Sequence, residues 1–352
     1  MQEITVKFRT ITPLWTGNAW GKCDEIKPAA LIGSLRFWFE VICYFSGVVS
    51  GEDFDTKLGR FEREVDSKKF KGYLSSNGNS FKDKIKGLLN QNIPLPSIIF
   101  GTTNWESLIK IKHIEPIGNY CFGNKLNIPK KICINKNGTN NIKENQECPN
   151  RSNNGWSVFY FNNPYFYGQF RVKFLVNESI LNEIFYPLLN FMDKYGYWGG
   201  KWNIGYGRLK IEKVEFKNKG QWYEREISGE YEFKFSNLHN MLKDKKFINL
   251  ITNSPNFDNL ITKKTSLYIL ENQFSKNDFK SVIKELLKIK SKKRGIFRND
   301  KEFRHKVFGK TGREDYLPQG SKILPYIYEE NGQYHGGFLS IAGLLNLQEE
   351  TK

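Results

Sequence analysis

The chain has 352 residues, enough for two domains or for one large domain with insertions. Its 54 Lys and Arg outweigh 37 Asp and Glu, giving +17 with the four His neutral. A surplus of this size makes a polyanion the default partner, RNA or DNA before an anionic membrane surface, unless it is the habit of a lysine-rich proteome. Apolar residues recurring at regular intervals exclude a disordered chain. The start, MQEITVKFRT, alternates like a strand and lacks the charged-then-apolar pattern of an export signal. The longest apolar stretch, around 37–49, is interrupted by Glu40, Ser46 and Gly47 and is too short to span a bilayer. Five Cys, an odd number without paired spacing, fit a reducing compartment. The expectation is a cytoplasmic protein without a membrane partner.

Residues 3–11 alternate as a first strand and end in TPLWTGNAWG. A helix follows over PAALIGSLRFWFEVICYF, with Pro28 suited to its first position. Leu31, Leu35, Trp38, Ile42 and Phe45 form one apolar stripe, while Gly33, Arg36 and Glu40 fall on another face. Residues 50–97 read as polar helix or loop up to the breaker IPLP, and a strand lies near 107–114. The stretch 117–156 holds 11 Asn, several Gly and three Cys, which predicts a long insertion with little regular structure. A strand at 168–176, a helix at about 178–195 kinked by Pro187 and a strand LKIEKVEF complete the first unit. Their order, βαββαβ, is that of a ferredoxin-like sheet backed by two helices. Beyond it come a strand at 230–235, helical material over 237–290, a basic segment, and a hairpin of strands 322–328 and 334–341 around ENGQ. The predicted fold is therefore α+β, with two ferredoxin-like, RNA-recognition-like βαββαβ units at 1–222 and 223–352 and an insertion at about 117–156 in the first.

Five glycines crowd YGYWGGKWNIGYGRLKI between Gly196 and Gly207. A phosphate-binding P-loop would need glycine at Tyr195 and Ser or Thr at Trp202, and a dinucleotide fingerprint would need a third glycine at Lys210. The loop also leaves a helix and enters a strand, the reverse of both motifs. It either caps the helix with a long turn or lets a bare backbone approach a phosphate chain. In the second case Gly200, Gly205 and Gly207 permit the approach, Lys201 and Arg208 supply charge, and Trp202 and Tyr206 supply flat surfaces for stacking. Arg36 is either an ion-pair partner of Glu40 or, with Lys27 and Ser34 near the helix start, a phosphate contact.

Residues 284–313 carry twelve Lys or Arg against three acidic residues, nine of the seventeen net charges. KELLKIKSKKR reads as a solvated helix face, whereas in RNDKEFRHKVFGKTGR the residues Lys306, Lys310 and Arg313 are candidate phosphate contacts. His305, flanked by Arg304 and Lys306, could move a proton in metal-free RNA cleavage, although a histidine in that place more commonly caps or binds phosphate. His113, Cys121, Cys133 and Cys148 could be four zinc ligands, but their gaps are irregular and no CxxC pair occurs; unpaired thiols in a loop are the plainer reading. HExxH and GxSxG are both absent from the sequence. No metal or other cofactor is expected.

TPLWTGNAWG followed by IKPAALIGSLRFWFE resembles the N-terminal signature of the first-subunit family of the type III-B CRISPR (Cmr) effectors, within the RAMP superfamily of repeat-associated proteins. Phe100-Gly101, the glycine-rich loop and HKVFGKTGREDYLPQGSKILPYI are similar to RAMP elements. The loop departs from the family's Arg-containing form in its centre, Trp202-Asn203-Ile204, which favours stacking or protein packing there. The resemblance implies two ferredoxin-like units and a non-catalytic, RNA-binding subunit of an antiviral RNA-guided complex. Such a subunit would sit near the guide RNA 3′ end beside other RAMP subunits, helping target RNA bind. It also implies that Lys27, Ser34, Arg36, Trp38, Gly200, Lys201, Gly205, Gly207 and Arg208 lie against RNA or a neighbouring subunit. The alternatives are a metal-independent RAMP endoribonuclease that processes guide precursor through His305, and a scaffold that binds protein alone.

Overall fold

The computed structural model describes residues 1–18, 20–135, 142–148, 155–161, 164–227, 233, 250–262, 267–309 and 320–342. The first strand, β1 (Gln2–Thr10), turns Ile4, Val6 and Phe8 fully inward and leaves Lys7 and Arg9 on the opposite face, as its alternation predicts. Helix α1 (Pro28–Phe45) buries Leu31, Leu35, Trp38, Phe39 and Ile42, and it buries Ser34, Arg36 and Glu40 as well. It is long and apolar enough to cross a membrane by composition, but half of that window is buried inside the fold. A short hairpin, β2 (Phe54–Asp55) with β3 (Arg60–Phe61), leads to helices α2 (Ser67–Asn77), α3 (Phe81–Leu89) and α4 (Leu95–Phe100).

Strand β4 (Ile109–Gly123) is longer than expected and runs into the predicted insertion. The insertion is also more regular than its composition suggests. Among its described residues β5 (Lys131–Asn135), β6 (Ile142–Glu144) and β7 (Trp156–Tyr160) form an antiparallel sheet in the order β6-β5-β7. Ile132 and Ile134 of β5 are buried, which gives the small sheet an apolar face despite its many Asn.

Strand β8 (Tyr165–Val176) is followed by a 3₁₀ turn (Glu178–Ile180), a π turn (Leu181–Phe185) and helix α5 (Tyr186–Lys194). Pro187 stands in the first turn of α5, where its missing N–H has no helical partner to lose, so the irregularity precedes it. After the glycine loop, β9 (Leu209–Asn218) pairs with β1, and β10 (Gln221–Arg225) adds an outer strand. The sheet order β10-β9-β1-β8-β4 is antiparallel throughout. Apart from β10, its four strands β9-β1-β8-β4 stand in the order fourth-first-third-second of a ferredoxin-like unit.

The predicted strand at 230–235 lies outside the described residues apart from Phe233. Next come β11 (Ile251–Asn253), α6 (Asn259–Thr262), β12 (Leu267–Lys276), α7 (Phe279–Ile296), α8 (Lys301–Phe308), β13 (Ile323–Glu330) and β14 (Gln333–Ser340). Strand β12 replaces part of the expected helical material over 237–290. The hairpin turn holds Asn331 and Gly332, both at positive φ (49° and 75°), the backbone of a tight two-residue turn. The second sheet, β11-β12-β14-β13, keeps the ferredoxin-like order over three strands; its fourth place is filled by β11, which pairs parallel to β12. The chain is thus α+β, and α7 covers the second sheet with Phe279, Val282, Ile283, Leu286 and Leu287.

Candidate functional site

The glycine loop spans the gap between α5 and β9, and its backbone is bound by protein. Gly199 N–H donates to Ser34 Oγ at 2.9 Å, Gly200 N–H to the Trp15 carbonyl at 2.8 Å, and Gly207 N–H to the Pro13 carbonyl at 2.8 Å. Trp38 Nε1 donates to the Tyr197 carbonyl at 3.2 Å. The segment 13–16, the N-terminal half of α1 and the loop are therefore one packed unit. The glycines are needed because of that packing. Gly205 (φ 82°) has Ile283 Cδ1 and Ile327 Cδ1 at 2.8 and 3.1 Å from where a Cβ would stand, and Gly207 (φ 91°) lies against the Trp198 backbone.

This corrects the expectation of a bare backbone held open for phosphate at Gly200, Gly205 and Gly207, whose N–H groups donate to Trp15, Trp202 and Pro13 carbonyls. Several side chains are corrected with them. Ser34 is buried between Ala30 and Gly199; Trp38 is fully buried among Phe37, Phe191, Tyr197 and Trp202; Tyr206 is fully buried against Phe161 and Tyr165. Trp202 is half-buried, packed on Phe37, Trp38 and Tyr197.

Arg36 is nearly buried. It bonds Glu40 and Glu62 at 2.9 Å each, and the carbonyls of Gly101 at 3.0 Å and Phe61 at 3.3 Å. The ion-pair reading holds, and the Phe100-Gly101 element is where the pair is anchored. Burial raises the Glu40 carboxyl to about 7, against the opposing pull of Arg36.

Arg208, 1 % exposed, is a clamp rather than a phosphate contact. Its guanidinium bonds the carbonyls of Lys194 (2.5 Å) and Gly196 at the end of α5, and that of Ile327 (3.1 Å) on β13. It also lies over the rings of Tyr197 and Tyr326, 5.4 and 4.9 Å from their centroids. Tyr197 donates to the Pro325 carbonyl at 2.8 Å, and Tyr326 to that of Lys194 at 2.7 Å. The loop therefore ties the first sheet to the second, and a planar five-donor cation suits several carbonyls at once.

The remaining candidates are scattered. Lys27 is half-exposed, with Nζ 3.8 Å from Glu25, and Lys201 is half-exposed, with Nζ 5.3 Å from the centre of a Trp15 ring. Lys306 pairs with Glu302 at 3.2 Å. Lys310 and Arg313 lie outside the described residues. His305, the alternative catalytic residue, is 5 % exposed on the inward side of α8. The four zinc candidates do not converge: Cys133 and Cys148 are joined as a disulfide, Cys121 and the exposed His113 lie on β4, and no metal-holding cluster occurs among the described residues. The disulfide also corrects the expectation of unpaired thiols.

What the structure does assemble at the loop is a cavity of about 470 Å³. It is walled by Gly199, Gly200, Lys201, Trp202 and Asn203 of the loop, Lys290 and Arg294 of α7, and Phe159, Phe308 and Leu324 around them. Lys290 and Arg294 were hidden in the run read as a solvated face. The signal was present: Lys290 follows Leu286 and Leu287 by four and three residues, on the apolar side of α7.

A family model described as the RAMP superfamily matches residues 7–210, more than half of the chain and most of the unit that carries the loop. The chain belongs to the RAMP superfamily. The match begins within β1 and ends at the second residue of β9, so it takes in α1, β4, β8, α5 and the glycine loop of this RAMP protein's first unit in full. No curated protein matches the chain. Among solved structures, the RAMP chain is similar to Cmr1 from Pyrococcus furiosus in its apo form, at 13 % identity and a TM-score of 0.42, with 97 % of this chain and 88 % of that one covered.

Proposed function

We propose that this RAMP protein is a non-catalytic RNA-binding subunit of a type III-B CRISPR effector, working in the cytoplasm beside other RAMP subunits near the guide 3′ end and helping target RNA bind. The observation that carries the reading is a RAMP unit whose glycine loop faces a cation-lined cavity next to the most basic stretch of the chain. The type III-B assignment rests on the N-terminal signature, TPLWTGNAWG with IKPAALIGSLRFWFE. Its Pro13, Trp15, Ser34 and Trp38 hold the loop in place, which gives the signature a physical role.

Filter binding of the purified chain to single-stranded CRISPR repeat RNA across a salt series tests it. The logarithm of affinity should fall linearly with that of salt, by about 0.7 for each phosphate neutralised. A flat line would remove the RNA claim. Site-specific cleavage of the same RNA in EDTA would overturn the non-catalytic part.

A further inference from the structure

We propose that the Cys133–Cys148 disulfide is a redox-operated staple. Closed, it holds the β5–β7 sheet against α7; reduced by a dithiol of the thioredoxin class, it releases that sheet. The bond lies within the insertion and joins cysteines 15 positions apart. The inference rests on the proposed cytoplasmic setting, where a disulfide is made and broken rather than kept. RNA binding plays no part in it.

The hairpin that the bond closes is short. Among the described residues β5 and β6 pair at three positions, Ile132↔Glu144, Cys133↔Lys143 and Ile134↔Ile142, and a hairpin of that size is marginal in water. Past β6, Asn145 takes a positive φ (55°) and turns the chain back across β5. Its N–H donates to the Lys131 carbonyl at 2.9 Å, and its side-chain oxygen accepts from the Lys130 N–H at 2.8 Å. That turn brings Cys148 to Cys133. Ile132, Ile134 and Phe159 share a core with Phe279, Val282 and Ile283 of α7. Glu144 also pairs with Lys280 at 3.5 Å and with Lys284, but these side chains are a quarter or more exposed, so the pairs add little. Strand β7, paired with β5, supplies Val158 and Phe159 to the wall of the cavity at the glycine loop, so the state of the staple reaches that wall.

The two sulfurs differ in access. Cys133 is fully buried and Cys148 half-buried, so an attacking thiolate reaches the Cys148 sulfur. A sulfur–sulfur bond forms between the reductant and Cys148, the Cys133–Cys148 bond breaks, and its electron pair leaves on Cys133. Lys143 stands directly across the ladder, a cation on the same side of the sheet as that thiolate, until the thiolate takes a proton. The reductant's second thiol then displaces Cys148, which takes a proton in turn. Two electrons and two protons pass to the cysteine pair, and the reductant ends as its own disulfide. Glutathione disulfide reverses the sequence, accepting the two electrons and leaving as two glutathione thiols. Cys23 and Cys43 stay outside this exchange, because both are buried and burial pushes their thiols up.

The test uses the full chain with Cys121→Ser, which removes the remaining half-buried thiol. Amide hydrogen exchange, read by mass spectrometry, compares the closed form, the form reduced by dithiothreitol, and Cys133→Ser with Cys148→Ser. Reduction should speed exchange in β5–β7 at least tenfold and leave β1 and β8 unchanged. The double Ser variant should match the reduced form and ignore dithiothreitol; if it fails to fold, reduction of the closed chain alone gives the same reading. In glutathione buffers spanning the cytoplasmic range, maleimide mass shifts should show the pair passing between its two states. Equal exchange in the closed and reduced forms, or a pair that stays closed throughout that range, would overturn the switch. Maleimide trapping in fractionated cells separates the switch from its setting. A cytosolic chain whose pair never opens removes the switch and leaves the cytoplasmic reading standing; recovery outside the cytosol removes that reading and, with it, the reductant.

Discussion

Arg208 and Lys290 are both cations almost removed from water, at 1 % and 4 % exposed, yet their surroundings oppose each other. Arg208 sits where α5 ends, at carbonyls that have no helical partner, and between two tyrosine rings. Lys290 has two carbonyls, no carboxylate among the described residues and a cavity beside it. One cation is fully used in holding the two sheets together; the other bonds two carbonyls and faces a cavity. The number of basic residues in a segment says little about which of them a polyanion can reach.

The sharpest way to break this comparison is at the clamp. Arg208→Ala should destabilise the fold by about 3 kcal/mol in urea unfolding, because hydrogen bonds to a charged group are lost and several buried carbonyls are left bare. Arg208→Lys should recover little of it, since an ammonium cannot span α5 and β13 as a guanidinium does. Wild-type stability in Arg208→Ala would return this residue to the list of RNA contacts.

Next in size is the loop backbone. Gly205→Val should cost roughly 2 kcal/mol, from a strained φ and from contact with Ile283 and Ile327. Asn203→Ala, at an exposed position, should stay within about 0.5 kcal/mol. Equal melting temperatures for the two variants would count against the packed-junction account.

The pH dependence of unfolding separates the two regions most finely. Glu40 titrates near 7 when folded and near 4.5 when not, so its contribution is full below 4.5 and is lost as pH rises to 7. Lys290 titrates near 7 when folded and near 10.5 when not, so the unfolded chain holds the extra proton and stability recovers as pH rises from 7 to 10.5. The first slope should vanish in Glu40→Gln and the second in Lys290→Met. A slope unchanged in its own variant removes that group as the cause.

Periodic segments could be read directly from the sequence. Helix α1 and the β13–β14 hairpin fall where their patterns place them, because an apolar stripe at helical spacing, and two alternating runs around Asn331-Gly332, each have one satisfactory local solution. Strand β12 was obscured within a lysine- and asparagine-rich stretch because its partner β14 lies far off in sequence, and β5–β7 were obscured by the Asn-rich composition of the insertion. At the site, Arg36 with Glu40 was visible as a pair at helical spacing, but Glu62 and the Gly101 carbonyl were not.

Local chemistry and periodicity were therefore enough for the class of fold, the first unit's strand order and the glycine loop's reversed polarity, while the RAMP resemblance came from motifs shared with that family. The fate of each charge lay beyond them. Whether an arginine meets a carbonyl cage, two carboxylates or an empty cavity depends on which distant segment packs over it. Burial also sets the electrostatic cost of each, and burial exists only once the two sheets and α7 have come together around the loop.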